Sequence, residues 1–212
     1  MRKLTILICV LMAATAAMAQ STLRFGVRVG NGITNFWGKD APHGVQANYQ
    51  AGAFLEYRVS NAFSISPEVL FSSQGGKCTV YYDGGPISEG KQTHATNYIT
   101  VPVMLKIYAI PSLSVDFGPQ VGFNVYSKYT RKLGDKKNTV DIKDRTNKVD
   151  IGLGLGATYY IADDYFLQLR YTMGLTKVFK DPSTAAGEPM TNYFDIGDAK
   201  NSVLMLSVGY RF

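Results

Sequence analysis

The sequence predicts an all-β protein, an eight-stranded antiparallel up-and-down transmembrane β-barrel that follows a cleaved signal peptide. Two observations carry this prediction. Apolar residues alternate with polar or small ones at the two-residue period of a strand in eight separate stretches. The connections between these stretches alternate long and short, which is typical of outer-membrane barrels with short periplasmic turns and long external loops.

The alternation predicts each strand in order. Each stretch carries Val, Ile, Leu, Phe or Tyr on one face and Gly, Ser, Thr or charged residues on the other. The predicted strands are Leu23–Gly30, 51–59, 63–72, 99–107, 113–125, 149–161, 165–176 and 199–212. Short turns are expected at 60–62, 109–112 and 162–164, and long external loops at 31–48, 74–95, 127–147 and 179–198.

The final stretch is a strand with no polar tail after it. Its apolar face holds Leu204, Leu206, Val208, Tyr210 and Phe212. Such a strand would be an aggregation hazard as an open sheet edge, but it is protected if it pairs with the first strand. We therefore expect Tyr210 and Phe212 to form a C-terminal assembly signal.

The N-terminus predicts export. Arg2 and Lys3 precede a short apolar run, and Ala17-Met18-Ala19 resembles a small-residue cleavage site, so residues 1–19 read as a signal peptide. The apolar run is too short for a spanning helix, which needs about 20 residues. Residues 20–212 then form one barrel domain with net charge +4 instead of +6, too weak and dispersed for nucleic-acid binding. Cys78 has no partner for an internal disulfide in that domain.

The strand alternation alone does not separate a membrane barrel from a soluble lipocalin-like barrel, which turns its apolar face inward. The polar face is mostly Gly, Ser, Thr and Gln, with fewer charges than a water-facing surface usually carries. Tyrosines near the ends of the apolar face fit an interfacial aromatic girdle (Tyr57, Tyr159, Tyr171 and Tyr210). Together with the signal peptide, these features favour the membrane barrel.

An eight-stranded barrel has a lumen that its own side chains can fill. The predicted inward charges are Arg24, Arg28, Glu56, Arg58, Glu68, Lys106, Asp116, Asp150, Arg170 and Arg211. Buried charges must be paired, so we expect these six bases and four acids to form a structural network. Gly156 is expected opposite Arg170, where a small residue leaves room for a large one. A proton or ion pathway is the alternative interpretation.

Catalytic and metal chemistry find little support in the sequence. The only histidines, His43 and His94, fall in predicted external loops, and no spacing ties them to Ser72, Ser73 or Ser88 as nucleophile and base. Two histidines and Cys78 in loops make a weak metal site. The glycines at 152, 154 and 156 lack the spacing of a dinucleotide loop. We expect no catalytic residue, cofactor or metal.

The third predicted loop is strongly basic. Between Lys128 and Lys148 lie eight bases and three acids, a net charge of +5. Its central bases are Arg131, Lys132, Lys136, Lys137, Lys143 and Arg145. The sequence favours a solvated hydrophilic loop. Contact with lipopolysaccharide phosphates, to which an exposed basic loop near the outer leaflet would be attracted, or with a glycan is the alternative.

Several stretches resemble a known family. They are AGAFLEYRVSNAFSISPEVLFSSQGGK at 51–77, YITVPVMLKIY at 98–108, FGPQVGF at 117–123 and YFLQLRYTMGL at 165–175. They resemble the PorT-like outer-membrane β-barrel family common in Bacteroidetes, which is similar in architecture to the small OmpX- and OmpA-type barrels. The resemblance implies the barrel fold. The founding member is implicated in protein secretion, a role on a distinct branch that we do not transfer.

The sequence therefore predicts a non-enzymatic barrel in the outer membrane of a Gram-negative bacterium, with a structural or surface-interaction role and a plugged, porin-like architecture. The alternatives are a lipid-modifying barrel enzyme, an accessory component of protein secretion, and a soluble ligand-binding barrel. Expected partners are outer-membrane lipid, lipopolysaccharide and the barrel-assembly machinery during insertion. A monomer is expected, and no particular protein partner is indicated.

Overall fold

The computed structural model describes residues 23–39, 41, 44–82, 88–134, 136–161, 164–180 and 198–212. The expected signal peptide, at residues 1–19, lies outside this part of the chain. The strands are β1 (Leu23–Trp37), β2 (Gln46–Ser60), β3 (Phe63–Tyr82), β4 (Ser88–Ile110), β5 (Leu113–Leu133), β6 (Lys136–Asp141), β7 (Val149–Tyr160), β8 (Tyr165–Gly174) and β9 (Lys200–Arg211). A single-turn 3-10 helix spans Lys143–Arg145. Among the described residues, no helix is long and apolar enough to cross a membrane.

Eight of these strands close into an antiparallel ring. Each ring strand pairs with its sequence neighbour, β5 pairs with β7, and β1 pairs with β9 to complete the circle. Strand β6 stands outside the ring and pairs with the far end of β5. The predicted eight-stranded barrel is confirmed, with β6 as an addition.

The apolar face of every ring strand points outward. In β9, Leu206 and Val208 are 52% and 55% exposed, whereas Val203 and Met205 are each 3% exposed. Because water-facing apolar side chains in a continuous band would drive aggregation, this surface requires lipid around it. The structure thus has the inside–outside assignment that the membrane interpretation requires, and not that of a soluble barrel.

Close approach of the backbone explains the glycine on β7. Gly156 lies opposite Arg170, as expected, and a Cβ there would stand 2.6 Å from the Leu169 carbonyl oxygen. The small size of Gly156 lets the bulky guanidinium side chain of Arg170 occupy the lumen.

The turn that leads from β7 to β8 is closed by the Ile161 amide, which donates to the Tyr165 carbonyl at 2.9 Å.

The long loops are shorter in the structure than the sequence predicted, because the strands extend into them. Strand β1 continues to Trp37, so 31–37 is strand. β3 and β4 together take up most of 74–95, and β5 with β6 takes up most of 127–147. Beyond the lipid both faces of a strand meet water or the capped lumen, so apolar–polar alternation disappears while backbone hydrogen bonding continues. Only the fourth loop, 179–198, stays outside the strands where it is described.

The extended parts of β3, β4 and β5 form, with β6, a four-stranded sheet beyond the barrel rim, here called the outer sheet. Its strands are residues 77–82, 88–97, 126–133 and 136–141. Lys77 pairs with Thr93, Thr93 with Thr130, and Thr130 with Thr139. One continuous register therefore crosses all four strands.

The last residue completes the ring. The Phe212 amide donates to the Phe25 carbonyl at 2.8 Å, and the two rings stack with centroids 4.5 Å apart. Tyr210 packs against both Tyr165 and Phe212, at 4.9 and 4.8 Å between centroids. The aromatic end of β9 thus binds the start of β1 on the lipid side. Its expected role as an assembly signal stays a prediction.

Candidate functional site

The lumen contains a carboxylate-centred cluster at the end where the short turns lie. Glu56 accepts hydrogen bonds from the Tyr108 hydroxyl at 2.6 Å, the Tyr160 hydroxyl at 3.0 Å and an Arg211 guanidinium nitrogen at 3.1 Å. The Lys106 ammonium is 3.5 Å from Glu56 and donates to the Tyr160 hydroxyl at 2.9 Å. Glu56 is thereby compensated from β4, β7 and β9 together.

A second ion-paired layer lies deeper in the barrel. Glu68 accepts two hydrogen bonds from the Arg170 guanidinium, at 2.9 and 2.7 Å, and lies 3.0 Å from Arg28. Arg28 also donates to the Gln50 side-chain oxygen at 3.0 Å. All three charged side chains are buried. The Glu68 carboxylate therefore binds two guanidinium groups. Its contact with Arg170 is bidentate, a geometry that favours strong charge-assisted hydrogen bonds.

Asp116 organises a third group, made mostly of neutral polar side chains. It accepts from the Ser114 hydroxyl at 2.6 Å, from the Gln168 amide at 2.9 Å and from the Thr158 hydroxyl. Gln168 also accepts a hydrogen bond from Arg28. Gln168 therefore joins the Asp116 group to the Glu68 layer, so the hydrogen-bond network is continuous between them.

The buried charges balance within the described part of the chain. The four buried bases are Arg28, Lys106, Arg170 and Arg211, and the four buried acids are Glu56, Glu68, Asp116 and Asp150. Asp150 accepts from Thr176 at 2.7 Å and from Asn201 at 3.2 Å. Asp116 and Asp150 both accept hydrogen bonds from neutral polar side chains, as a buried carboxylate requires.

Two predicted members of the network lie outside it. Arg24 and Arg58 are only partly buried. Arg58 donates to the Ser60 and Asn61 carbonyls of the first turn, at 3.4 and 3.0 Å, and its guanidinium stands 4.4 Å from the Tyr108 ring centroid. Both arginines do point to the lumen side, but they lie so near the barrel end that water reaches them.

Aromatic side chains fill the barrel at the same end as Glu56. The four packed together are Phe54, Tyr108, Tyr160 and Phe166. The rings of Phe54 and Phe166 meet edge-on at 5.5 Å, and the Tyr160 ring is 5.8 Å from Phe166. The charged clusters are thus covered by rings on the side of the short turns.

A second aromatic group, here called the outer cap, covers the opposite end of the lumen. It comprises Phe36 of β1, His94 of β4, Tyr129 of β5 and Phe179. The His94 ring lies 6.3 Å from Phe36, 5.1 Å from Tyr129 and 5.5 Å from Phe179. On β4 and β5, His94 and Tyr129 lie beyond the last large apolar side chains of the outer surface, Ile99 and Val125. The outer cap therefore packs like a small hydrophobic core at this end of the lumen.

His94 is a correction, since the sequence placed it in an external loop. Its side chain is 1% exposed and points inward from β4. Burial lowers the pKa of His94 to about 4, because the charged imidazolium would lose its hydration. A buried ring among aromatic side chains is a poor general base for an external substrate. His43 lies outside the described residues.

Among the side chains that the structure describes, the other candidate chemical groups do not assemble into a site. In the described ranges, no three His, Cys, Asp or Glu side chains lie close enough to hold a metal ion. Ser72 and Ser73 belong to β3 and are buried, and the Ser72 hydroxyl accepts from the Gln74 amide at 3.2 Å. Ser88 and Cys78 fall within β4 and β3 instead of in loops, and their side chains lie outside the described set.

The basic stretch of the third loop is divided by the structure. Lys132 of β5 and Lys137 of β6 are direct cross-strand partners on the exposed face of the outer sheet. Arg131 and Lys136 lie on the opposite face of the outer sheet from this pair. Lys143 and Arg145 lie in the 3-10 helix that follows β6. The stretch is therefore not one uniform basic loop.

Two basic residues of the same face were missed by the sequence analysis. Lys91 lies directly opposite Lys132, and Lys77 lies on the same face one row closer to the barrel. Both are exposed and both were assigned to a loop. The signal that could have found them is the Thr and Lys alternation after Gly76, since Thr favours strands.

A closed ring of antiparallel strands, an apolar outer surface and an ion-paired lumen define an integral outer-membrane β-barrel protein. The chain matches the outer membrane protein beta-barrel domain family over residues 18–180, and it belongs to that family. The protein is accordingly placed in the outer membrane.

Solved structures of small outer-membrane barrels resemble this one. The attachment invasion locus protein Ail of Yersinia pestis shares 12% identity over 89% of this chain and 98% of its own, with a TM-score of 0.46. Neisserial surface protein A shares 11% identity over 89% of this chain and 97% of its own, with a TM-score of 0.49. OprG of Pseudomonas aeruginosa shares 13% identity over 90% of this chain and 94% of its own, with a TM-score of 0.36. A search of curated protein sequences finds no match.

Proposed function

We propose that this protein is a non-enzymatic, non-conducting barrel whose task is to hold the outer sheet at the cell surface for interaction with other molecules. The observation that carries the proposal is the filling of the lumen. The Glu56 cluster, the Glu68 layer and the outer cap occupy successive levels between the two ends. Space that would serve a pore or a substrate is taken by side chains that bond to one another.

Strand length supports the surface role. β3, β4 and β5 have 20, 23 and 21 residues, whereas β7 and β8 have 12 and 10. A strand needs about 9–11 residues to cross the bilayer. Roughly half of β4 and β5 therefore serves to build the outer sheet and contributes nothing to spanning.

The experiment has two arms. The purified protein in planar bilayers is expected to show no steady conductance, and a variant with the outer cap opened, Phe36→Ala, tests whether the cap contributes to closing the lumen. An epitope inserted at Gly134, where a Cβ would meet nothing within 4 Å, is expected to bind antibody on intact cells. Steady channels in the parent protein, or an epitope that is accessible only after the outer membrane is opened, would contradict the proposal.

The family branch, the export route, the insertion machinery and the oligomeric state are also proposals. The quoted stretches at 51–77 and 165–175 support membership of the PorT-like branch. Export by a cleaved signal peptide, insertion by the barrel-assembly machinery and a monomeric state accord with an eight-stranded closed ring. A secretion accessory or a lipid-modifying enzyme is the alternative. Lipid profiling of cells carrying His43→Ala or His94→Ala separates the enzyme, because a catalytic histidine would change the lipid pattern.

A further inference from the structure

Three lysines from three adjacent strands form a row across the outer sheet. Lys91 lies opposite Lys132, and Lys132 lies opposite Lys137. All three side chains are exposed on the same outward face. Strands lie about 4.8 Å apart, so the three Cα atoms fall within about 10 Å. Like charges directly opposite each other repel within a strand pair.

The neighbouring rows on this face complete a surface suited to anionic polymers. The next row toward the barrel is Lys77, Thr93, Thr130 and Thr139, in which the last two hydroxyls lie 3.2 Å apart. The row after that pairs Lys128 with Asp141. Within the described part of this face there are thus five lysines and one acid. Ammonium groups alternate with hydroxyls, which have the donor and acceptor capacity to hydrogen-bond a sugar.

The height of the lysine row excludes outer-leaflet phosphates as its main ligand. The last large apolar outward-facing side chain is Ile99 on β4 and Val125 on β5. Lys132 follows Val125 by seven residues, or about 24 Å along an antiparallel strand. A barrel tilt of about 40° reduces this to about 18 Å above the hydrocarbon. The polar headgroup region is only about 5–8 Å thick on each side.

The lower part of the basic stretch does reach that level. Lys128 follows Val125 by three residues, which places it about 8 Å above the hydrocarbon. The expected attraction to lipopolysaccharide phosphates therefore applies to Lys128. The Lys91–Lys132–Lys137 row stands about 10 Å higher, and a lysine side chain does not span that gap.

We propose that the Lys91–Lys132–Lys137 row, with the threonine row beneath it, binds an extended acidic polysaccharide in the space above the membrane. The polymer would lie across the strands with its carboxylate, phosphate or sulfate groups along the lysines. This inference rests on the proposed surface-interaction function and names its ligand class. Sulfated, phosphorylated and carboxylated chains share the chemistry that the row recognises.

The test uses the full-length protein in lipid nanodiscs with fluorescent dextran sulfate, polygalacturonate and neutral dextran as probes. The parent is expected to bind the first two and not the third, and 0.5 M salt should abolish binding by screening. The variant K91Q/K132Q/K137Q should lose about 30-fold in affinity, which corresponds to about 2 kcal/mol. The matched control K143Q/R145Q/K148Q removes the same charge and should lose less than about 3-fold.

The outcomes discriminate among the alternatives. Equal losses in the two triple variants would overturn the inference, because binding would follow net charge and not the row. Loss of binding to vesicles containing lipopolysaccharide in K91Q/K132Q/K137Q, with dextran sulfate binding kept, would overturn it in favour of lipid headgroups. A parent that binds no acidic polymer while the Gly134 epitope is accessible on cells would overturn the ligand assignment and leave the proposed function standing.

Discussion

Arg170 donates two parallel hydrogen bonds to Glu68, at 2.9 and 2.7 Å, across the barrel between β8 and β3. The two residues are 102 positions apart in the chain and share no backbone pairing. Arg28 approaches the same carboxylate from β1 at 3.0 Å. The barrel is thus tied across its diameter by side chains as well as around its circumference by backbone bonds.

Removing the Glu68 charge should strongly destabilise the barrel. Glu68→Gln leaves Arg28 and Arg170 buried without their shared carboxylate, and breaking a buried pair costs about 3–5 kcal/mol. Urea unfolding in lipid vesicles measures the loss. The matched control is Asp144→Asn, an exposed carboxylate in the 3-10 helix, which should change stability by about 0–1 kcal/mol. Equal effects of the two substitutions would show that the Glu68 layer carries no special weight.

Arginine on the lipid face should be costly for a different reason. Leu153 of β7 is 50% exposed on the outward face, and Leu153→Arg should cost about 2–4 kcal/mol in a bilayer near the midplane. Its neighbour Gly152 faces inward, where a Cβ would stand 2.8 Å from the Met173 carbonyl oxygen. Gly152→Arg should therefore fail by overfilling the lumen, in detergent as well as in bilayers. A neutral Leu153→Arg in vesicle-folding measurements would contradict the facing of β7.

Deleting 210–212 should prevent stable insertion. The deletion removes the Phe25–Phe212 stack, the Tyr165–Tyr210 contact and the last backbone bonds between β9 and its neighbours. The truncated chain should lose the heat-modifiable, SDS-resistant band on a gel. Phe212→Leu is the control, because it keeps the backbone bonds and an apolar side chain. A truncated protein that still resists SDS would contradict an assembly role for this end.

Acid should loosen the outer cap. The pKa of His94 is about 4 in the folded protein and 6.5 in a water-exposed chain, so between these values the unfolded state binds more protons. The free energy of unfolding is therefore highest above about pH 6.5. It decreases by up to about 3 kcal/mol as the pH is lowered toward 4. The residues packed on the ring are Phe36, Tyr129 and Phe179.

The single tryptophan reports on this region directly. Trp37 follows Phe36 in β1, and its indole nitrogen donates to the Gly174 carbonyl at 3.1 Å. In the parent, the midpoint urea concentration of the Trp37 fluorescence change should be lower at pH 4.5 than at pH 7. In His94→Phe, which keeps an aromatic ring and removes the titration, this midpoint should decrease much less. The same pH dependence in both proteins would assign the effect to other groups.

The barrel itself was predictable because lipid imposes a rule on every strand. Leu206 and Val208 must face outward and Ser207 inward, so a period of two in the sequence identifies both the strand and its faces. The same parity placed Arg28, Glu68 and Arg170 in the lumen. It did not separate them from Arg24 and Arg58, because parity specifies a face and not the distance from the barrel end.

The outer sheet was not predictable on the same basis. Lys91 and Lys132 are 41 residues apart, and they meet only because β4 and β5 keep their register beyond the lipid. Water on the outer face allows Lys and Thr at positions where lipid would demand Val or Leu, so the alternation carries no apolar signal there. His94 was placed in a loop for the same reason, since its packing partners Phe36 and Phe179 come from distant parts of the chain.

The length of β4 also has a mechanical consequence. Lys91 in the outer sheet and Lys106 beside Glu56 belong to one uninterrupted strand of 23 residues. A molecule that pulls outward on Lys91 pulls along the strand axis, and the ladder hydrogen bonds to β3 and β5 run perpendicular to that axis. The load is therefore a shear shared by many bonds at once, and no bond is peeled off alone. The strand that displays Lys91 also anchors it against tension.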